Sequence, residues 1–250
     1  VDSRCAIVTG GGSGIGRAIA KRLAADGLSV AVVDLDKDSA EAVTEEIHAE
    51  GDEAVALGGV DVSVRSQVDD AVTRARAKFG PVLVLVNNAG ISGFKEFLKI
   101  NDESWNRILA VNLSGPFYFS QAVLPDMIEA GWGRIVNVSS SSAQSGQQYM
   151  VHYASSKAGL IGMTKSLALE FGPKGITVNT IPPGFVDTPM LRASEERGLL
   201  GGTVDETAQR MPVRRAGRPE DISAACSFLV SEEAGYITGQ VIGVNGGRYT

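Results

Sequence analysis

The 250-residue sequence holds only two cysteines, Cys5 and Cys226, at opposite ends and inside apolar segments. Two thiols so placed exclude a disulfide framework and a zinc site, and they read as small core residues of a chain kept reduced. Its two histidines, His48 and His152, form no ligand cluster, so no metal is expected. No apolar run approaches the ~20 residues of a spanning helix. Basic residues are outnumbered 29 to 23, the net charge is -6, and no basic stripe exists for a nucleic acid. What remains is a soluble composition, 44% hydrophobic and 21% charged, with length for one sizeable core. Residues 1–9 run straight into a strand pattern, so no signal peptide is expected and the expected compartment is cytoplasmic; the missing initiator Met leaves a trimmed leader open.

Short apolar runs alternate with longer helical patterns. The runs cover residues 5–8, 30–33, 54–57, 82–86, 135–138, 176–181 and 241–244, rich in Val and Ile and apolar on both faces. Strands buried between two helical layers read this way. Helical spacing covers residues 15–25, 39–50, 64–79, 102–130, 153–171 and 219–230. The alternation predicts an α/β, doubly wound Rossmann fold: a seven-stranded parallel sheet with helices on both faces, in one domain spanning 1–250. Residues 187–215 break the rhythm, being polar, Gly-rich and flanked by proline. A loop of that length in a compact domain is usually functional, and we expect a short-helix insertion covering the substrate site.

At the first β-α junction stands Thr9-Gly10-Gly11-Gly12-Ser13-Gly14-Ile15-Gly16. Glycines let the backbone turn and approach a pyrophosphate, and the helix that follows offers free N–H groups at its positive end. The second strand ends at Asp34, eighteen residues after Gly16. An acid there accepts from ribose hydroxyls and repels a 2′-phosphate, so the expected cofactor is NAD rather than NADP. Asp34 also has a plainer reading as a strand-end turn former. Arg17 suits a pyrophosphate or a surface pair.

Tyr153 and Lys157 lie four residues apart on the predicted helix, with Ser140 thirteen residues upstream of the tyrosine. Positions i and i+4 share a face, so phenol and ammonium can enter one site. A tyrosine pKa near ~10 falls to about 7 only with roughly 4 kcal/mol of differential stabilisation, to which a nearby ammonium contributes.

Together these residues resemble the short-chain dehydrogenase/reductase family over nearly the whole chain. The Gly-rich turn, Asn87-Asn88-Ala89-Gly90, Asn112, the Ser140/Tyr153/Lys157 set, and Pro183-Gly184 with Thr188 match its motifs in order. The resemblance implies Tyr153 as general acid or base, Lys157 assisting it and holding the nicotinamide ribose, and Ser140 donating to the substrate oxygen. It implies that Asn112 holds a relay water or marks a helix kink. It further implies cofactor contacts from Gly10, Ser13, Ile15, Gly16, Asp34, Leu35, Asp61, Val62, Asn88, Ala89, Gly90, Pro183, Gly184, Val186 and Thr188, with Asp61 and Val62 at the adenine. Serine at position 13, where NADP-using relatives often carry arginine, agrees with NAD. The doubled Pro182-Pro183 departs from the more common Ala-Pro-Gly and stiffens that edge.

The leading expectation is an NAD-dependent oxidoreductase interconverting a secondary alcohol and a ketone, running oxidatively. The alternatives are a 3-oxoacyl-thioester reductase, which overall likeness to the 3-oxoacyl-carrier-protein reductases suggests, and a non-catalytic nucleotide-binding protein. Sugar-nucleotide epimerisation is disfavoured, because neither its Gly-x-x-Gly-x-x-Gly turn nor a larger C-terminal region is present. The pocket is expected near residues 92–94, 141–148 and 184–191 and the insertion. The family implies a homotetramer, with residues 239–250 and the helices at 102–130 and 153–171 meeting other subunits.

Overall fold

The computed structural model describes residues 4–249; residues 1–3 at the start of the predicted first-strand approach, and Thr250, lie outside the described residues. Six strands form among the described residues: β1 (Cys5–Thr9), β2 (Ser29–Asp34), β3 (Ala54–Gly58), β4 (Val82–Asn87), β5 (Gly133–Val138) and β6 (Ile176–Ile181). All pair in parallel in the order β3-β2-β1-β4-β5-β6, so the order reverses beside β1, between β1 and β4. Ligands of such sheets bind outside the strands' carboxyl ends at that reversal.

Ten α-helical segments accompany the sheet among the described residues: α1 (Gly14–Ala25), α2 (Lys37–Ala49), α3 (Arg65–Phe79), α4 (Asp102–Leu109), α5 (Gly115–Ala130), α6 (Ser142–Ser145), α7 (Val151–Phe171), α8 (Pro189–Glu196), α9 (Val204–Ala208) and α10 (Pro219–Val230). Strand residues alternate between faces, so each strand feeds two cores. Cys5, Ile7, Ala31 and Val33 join α3 and α5 through Val68, Ala71, Val72, Phe119, Val123 and Met127. Ala6, Val8, Val30 and Val32 join α1, α2 and α10 through Ile19, Leu23, Val43, Ile47, Ile222 and Leu229. The two cysteines fall in different cores, on opposite faces of the sheet, and burial pushes both thiols up to about 12, which leaves them inert.

Two expectations need correction. The seventh strand, residues 241–244, runs parallel beside β6 but makes only isolated bridges, Thr180 with Val241 and Pro183 with Val244. Its hydrogen bonds resume at Gly184 N–H to Val244 O, 3.0 Å, after Ile242 N–H to Thr180 O at 2.9 Å. Pro182 and Pro183 stand in that gap with no N–H to donate, so a continuous ladder cannot form. The single helix expected over 102–130 is broken by a π-helical turn, Ala110–Ser114, in which Gly115 N–H reaches back to Ala110 O. Such turns recur at functional sites, and this one contains Asn112.

Candidate active site

At the carboxyl ends of the strands lies a cavity of about 550 Å³. One end is lined by Gly10, Ser13, Gly14, Ile15, Asp34, Leu35, Asp61 and Val62, the other by Ser140, Tyr153, Lys157 and residues of the insertion. The turn between β1 and α1 is locked by close approach. A Cβ on Gly16 would stand 1.9 Å from Gly10 O and 2.5 Å from Asn88 Nδ2. Asn88 is the strut: its amide donates to Thr9 O at 2.9 Å and Gly10 O at 3.1 Å. Thr9 Oγ1 in turn accepts from the backbone N–H groups of Asn88 and Ala89 at 3.0 and 3.1 Å. The result is an α1 N-terminus facing open space beside the glycine turn, a cradle that fits the pyrophosphate of a dinucleotide.

At the adenosine end the two acids are already engaged. Asp34 Oδ2 accepts the Gly12 N–H at 2.8 Å and Oδ1 the Asp36 N–H at 3.0 Å. Asp61 Oδ1 accepts from Ser63 N–H at 2.9 Å, and Oδ2 accepts from Arg107 at 3.1 Å. Burial opposes ionisation of Asp61, but the hydrogen bonds from Ser63 and Arg107 outweigh it and hold the carboxyl below its usual range. Arg17 pairs with Glu46 on the surface and does not line the cavity.

The catalytic candidates converge. Lys157 is 4% exposed and donates from Nζ to Val138 O at 2.8 Å, at the end of β5. Burial pushes its ammonium down to about 8. A Cβ on Gly90 would lie 3.3 Å from both Lys157 Nζ and Asn112 Oδ1, which places both side chains against the same face of that glycine. Asn112 clamps the loop after β4, accepting Ile91 N–H at 2.9 Å and donating to Ile91 O at 3.0 Å. Its amide also donates to Ser156 Oγ at 3.1 Å, and Ser156 donates to Tyr153 O at 2.7 Å. The side chain therefore ties the Tyr153 helix to the loop after β4. The expected lowering of the phenol by Lys157 does not occur. Burial raises Tyr153 above the usual tyrosine value, against a smaller lowering by its hydrogen bond with Ser140. The ammonium donates to Val138 O instead of to the phenol.

The substrate end contains Ser92, Phe94, Ser141, Ser142 and Gln147, and Phe185 to Leu191 apart from Asp187, within the expected segments. The insertion supplies Ser194, Leu199, Leu200 and Thr207. Thr188 caps α8 by accepting Leu191 N–H at 3.2 Å, and Arg192 ties Asp187, at 2.7 Å, to Glu195, at 3.0 Å. His152 does not line the cavity; it is 2% exposed and packs beneath Gly93, where a Cβ would meet its Nε2 at 2.8 Å. Sequence reasoning missed Arg107 and Arg248, which also line the cavity, because neither belongs to a local motif. Among the described residues no group of three or more His, Cys, Asp or Glu side chains could hold a metal ion, and no helix is long and apolar enough to cross a membrane.

Comparison with known proteins agrees with this architecture. Residues 10–249 match a family model described as enoyl-(acyl carrier protein) reductase. The short-chain reductase protein NovJ of Streptomyces niveus is 44% identical over 97% of this chain and 93% of its own length. The 3-oxoacyl-[acyl-carrier-protein] reductase of Escherichia coli is 39% identical over 99% of this chain and 98% of its own. Among solved structures, a tryptophan variant of actinorhodin polyketide ketoreductase with NADPH superposes with a TM-score of 0.95 at 35% identity, covering 99% of this chain and 98% of that one. These relatives overturn the expectation of NAD, and with it the argument for an oxidative direction. Asp34 has a structural task as well: its carboxylate oxygens accept the backbone N–H groups of Gly12 and Asp36, so its placement also follows from the turn it holds. The Escherichia coli relative is named a 3-oxoacyl reductase and the solved structure a ketoreductase, which favours the thioester-reductase alternative over a secondary alcohol dehydrogenase.

Proposed function

The chain belongs to the short-chain dehydrogenase/reductase family, in the branch of the 3-oxoacyl-carrier-protein reductases, and on that footing we propose that it reduces the 3-keto group of an acyl thioester with NADPH. The observation that carries the reading is that Ser140, Tyr153 and Lys157 line one end of the cavity together, with the buried Tyr153 phenol keeping its proton at neutral pH. A general acid for carbonyl reduction needs that proton.

The glycine turn and α1 N-terminus would hold the pyrophosphate, with Gly10, Ser13, Ile15 and Gly16 around it. Leu35, Asp61 and Val62 would flank the adenosine. Ser13, lining the cavity, and the exposed Lys37, two residues beyond Leu35, are the groups offered to a 2′-phosphate. Asn88, Ala89, Gly90, Pro183, Gly184, Val186 and Thr188 would border the nicotinamide half. When bound, NADPH supplies a hydride to the carbonyl carbon. Ser140 donates a hydrogen bond to the carbonyl oxygen as negative charge grows there, and Tyr153 gives that oxygen its proton. Lys157 would hold the nicotinamide ribose and face the phenolate that Tyr153 becomes. Asn112 holds α7 against the loop after β4, so that Tyr153 meets the substrate at a set distance. Phe94, Met190, Leu191, Leu199 and Leu200 offer an apolar wall to an acyl chain.

Mixing the protein with acetoacetyl-CoA and NADPH, and following NADPH absorbance, tests the proposal. Steady consumption is expected. No turnover of 3-oxoacyl thioesters, with oxidation of simple secondary alcohols instead, would refute it. A homotetramer is part of the same proposal: exposed Phe117 and Ile128 on α5 and Leu169 on α7 are side chains a subunit contact would cover, and light scattering measures the mass.

A further inference from the structure

Four serines in a row, Ser139 to Ser142, follow β5 at the catalytic end, and the last three bear on the substrate side. Their environments differ. Ser141 N–H donates to Pro183 O at 2.9 Å and anchors the segment to the loop after β6. Ser142, 9% exposed and lining the cavity, turns back onto Ser140: the two hydroxyl oxygens are 2.8 Å apart, and Ser142 N–H donates to Ser140 Oγ at 3.2 Å.

A serine hydroxyl has one proton and two lone pairs. For Ser140 to donate to a substrate oxygen, that proton must be left free, so its lone pairs must be filled from elsewhere. We infer that Ser142 is a positioning residue whose hydroxyl and backbone N–H both donate to Ser140 Oγ, so that the one Ser140 proton is held toward Tyr153 and toward the substrate carbonyl that enters beside it. Without the Ser142 hydroxyl, Ser140 has one fixed donor left and its hydroxyl turns among several orientations, of which only some face the substrate. Fixed dipoles stabilise developing charge because they need no reorientation as the reaction proceeds, and that advantage is what Ser142 preserves.

The inference rests on the reading of Ser140 as the donor to the substrate oxygen. Its test uses acetoacetyl-CoA and NADPH as probes, with Ser142→Ala, Ser142→Thr, Ser140→Ala and the Ser140→Ala/Ser142→Ala double variant. Ser142→Ala is expected to lower kcat by about tenfold, less than loss of a whole charge-stabilising donor, with KM and the NADPH Kd unchanged. Ser142→Thr keeps a hydroxyl and should restore kcat, while the double variant should be no slower than Ser140→Ala. Wild-type kcat in Ser142→Ala, a change in KM alone, no rescue by threonine, or losses that multiply in the double variant would each overturn the inference. If Ser140→Ala is crippled and Ser142→Ala is not, the role of Ser142 alone falls. A fully active Ser140→Ala overturns the reading of Ser140 and this inference with it.

Discussion

The Lys157 ammonium donates a 2.8 Å hydrogen bond to the carbonyl oxygen of Val138, nineteen residues earlier in the chain, and not to the Tyr153 phenol one helical turn away. The bond joins the middle of α7 to the end of β5 and holds a cation in a nearly dry place. It also means that the i, i+4 relation places the two groups on one face without pairing them.

That burial has a pH signature. With its value brought down to about 8, Lys157 is an ammonium at pH 7 and loses its proton as pH rises through about 8. The pH dependence of kcat/KM reports groups of the free enzyme. A descending limb near pH 8 is therefore expected in kcat/KM for reduction, and a profile flat to about pH 9.5 would contradict the placement of Lys157.

Removing the ammonium should trade activity for stability. Below about 8 the buried cation is an unfavourable group, since the unfolded chain keeps it in water. Lys157→Met is expected to abolish turnover and to raise stability at pH 7 by about 1–2 kcal/mol, seen as a higher Tm. The gain should shrink as pH rises from about 8 towards the ordinary lysine value, because the native protein sheds its proton first.

Tyr153→Phe removes the proton donor and leaves the ring. We expect kcat to fall by about 10²–10⁴-fold while the NADPH Kd, measured by fluorescence titration, stays within the wild-type range. Near-wild-type kcat would remove Tyr153 from the chemistry.

His152 predicts loss of stability in acid. Its Nδ1 is buried with no hydrogen-bond partner, and desolvation, with a smaller contribution from Lys95, holds its pKa below the usual imidazole value. The unfolded chain binds the proton first as pH falls below about 6.5, so stability is present above that pH and declines beneath it. Thermal melts between about pH 7.5 and 5 should show a Tm decrease that is smaller in His152→Phe. Equal decreases would acquit His152.

Gly16→Ala tests the close packing of the nucleotide turn. Its Cβ would stand 1.9 Å from Gly10 O, backbone that cannot step aside without opening the turn. A loss of at least about 1–3 kcal/mol of stability is expected in denaturant titrations, together with much weaker NADPH binding.

Much of this architecture was legible in order and pattern. Runs of Val and Ile apolar on both faces predicted parallel strands, and the Gly-rich turn lay at the first strand–helix junction, because burial and backbone conformation are written in residue type. Ser140, Tyr153 and Lys157 were found from spacing, and the insertion from its loss of apolar rhythm. The break at Pro182 and Pro183 was visible as stiffness but not as a gap in the seventh strand, since that consequence needs the partner strand alongside. Asn112 was assigned as a kink or a water holder. Its bonds to Ile91 and Ser156 join residues 21 and 44 positions away, which no local pattern encodes.

By itself, then, the sequence determined the layers of the fold, the end of the sheet where the site lies, and the residue types that meet there. Only the tertiary structure decided how those groups are engaged. Asp34 accepts two backbone N–H groups, Lys157 turns to Val138, and Ser142 folds back onto Ser140. A residue's type sets what it can bond, but its partner is chosen by geometry, and the polar atoms of a buried site bond to whatever the fold brings within about 3 Å.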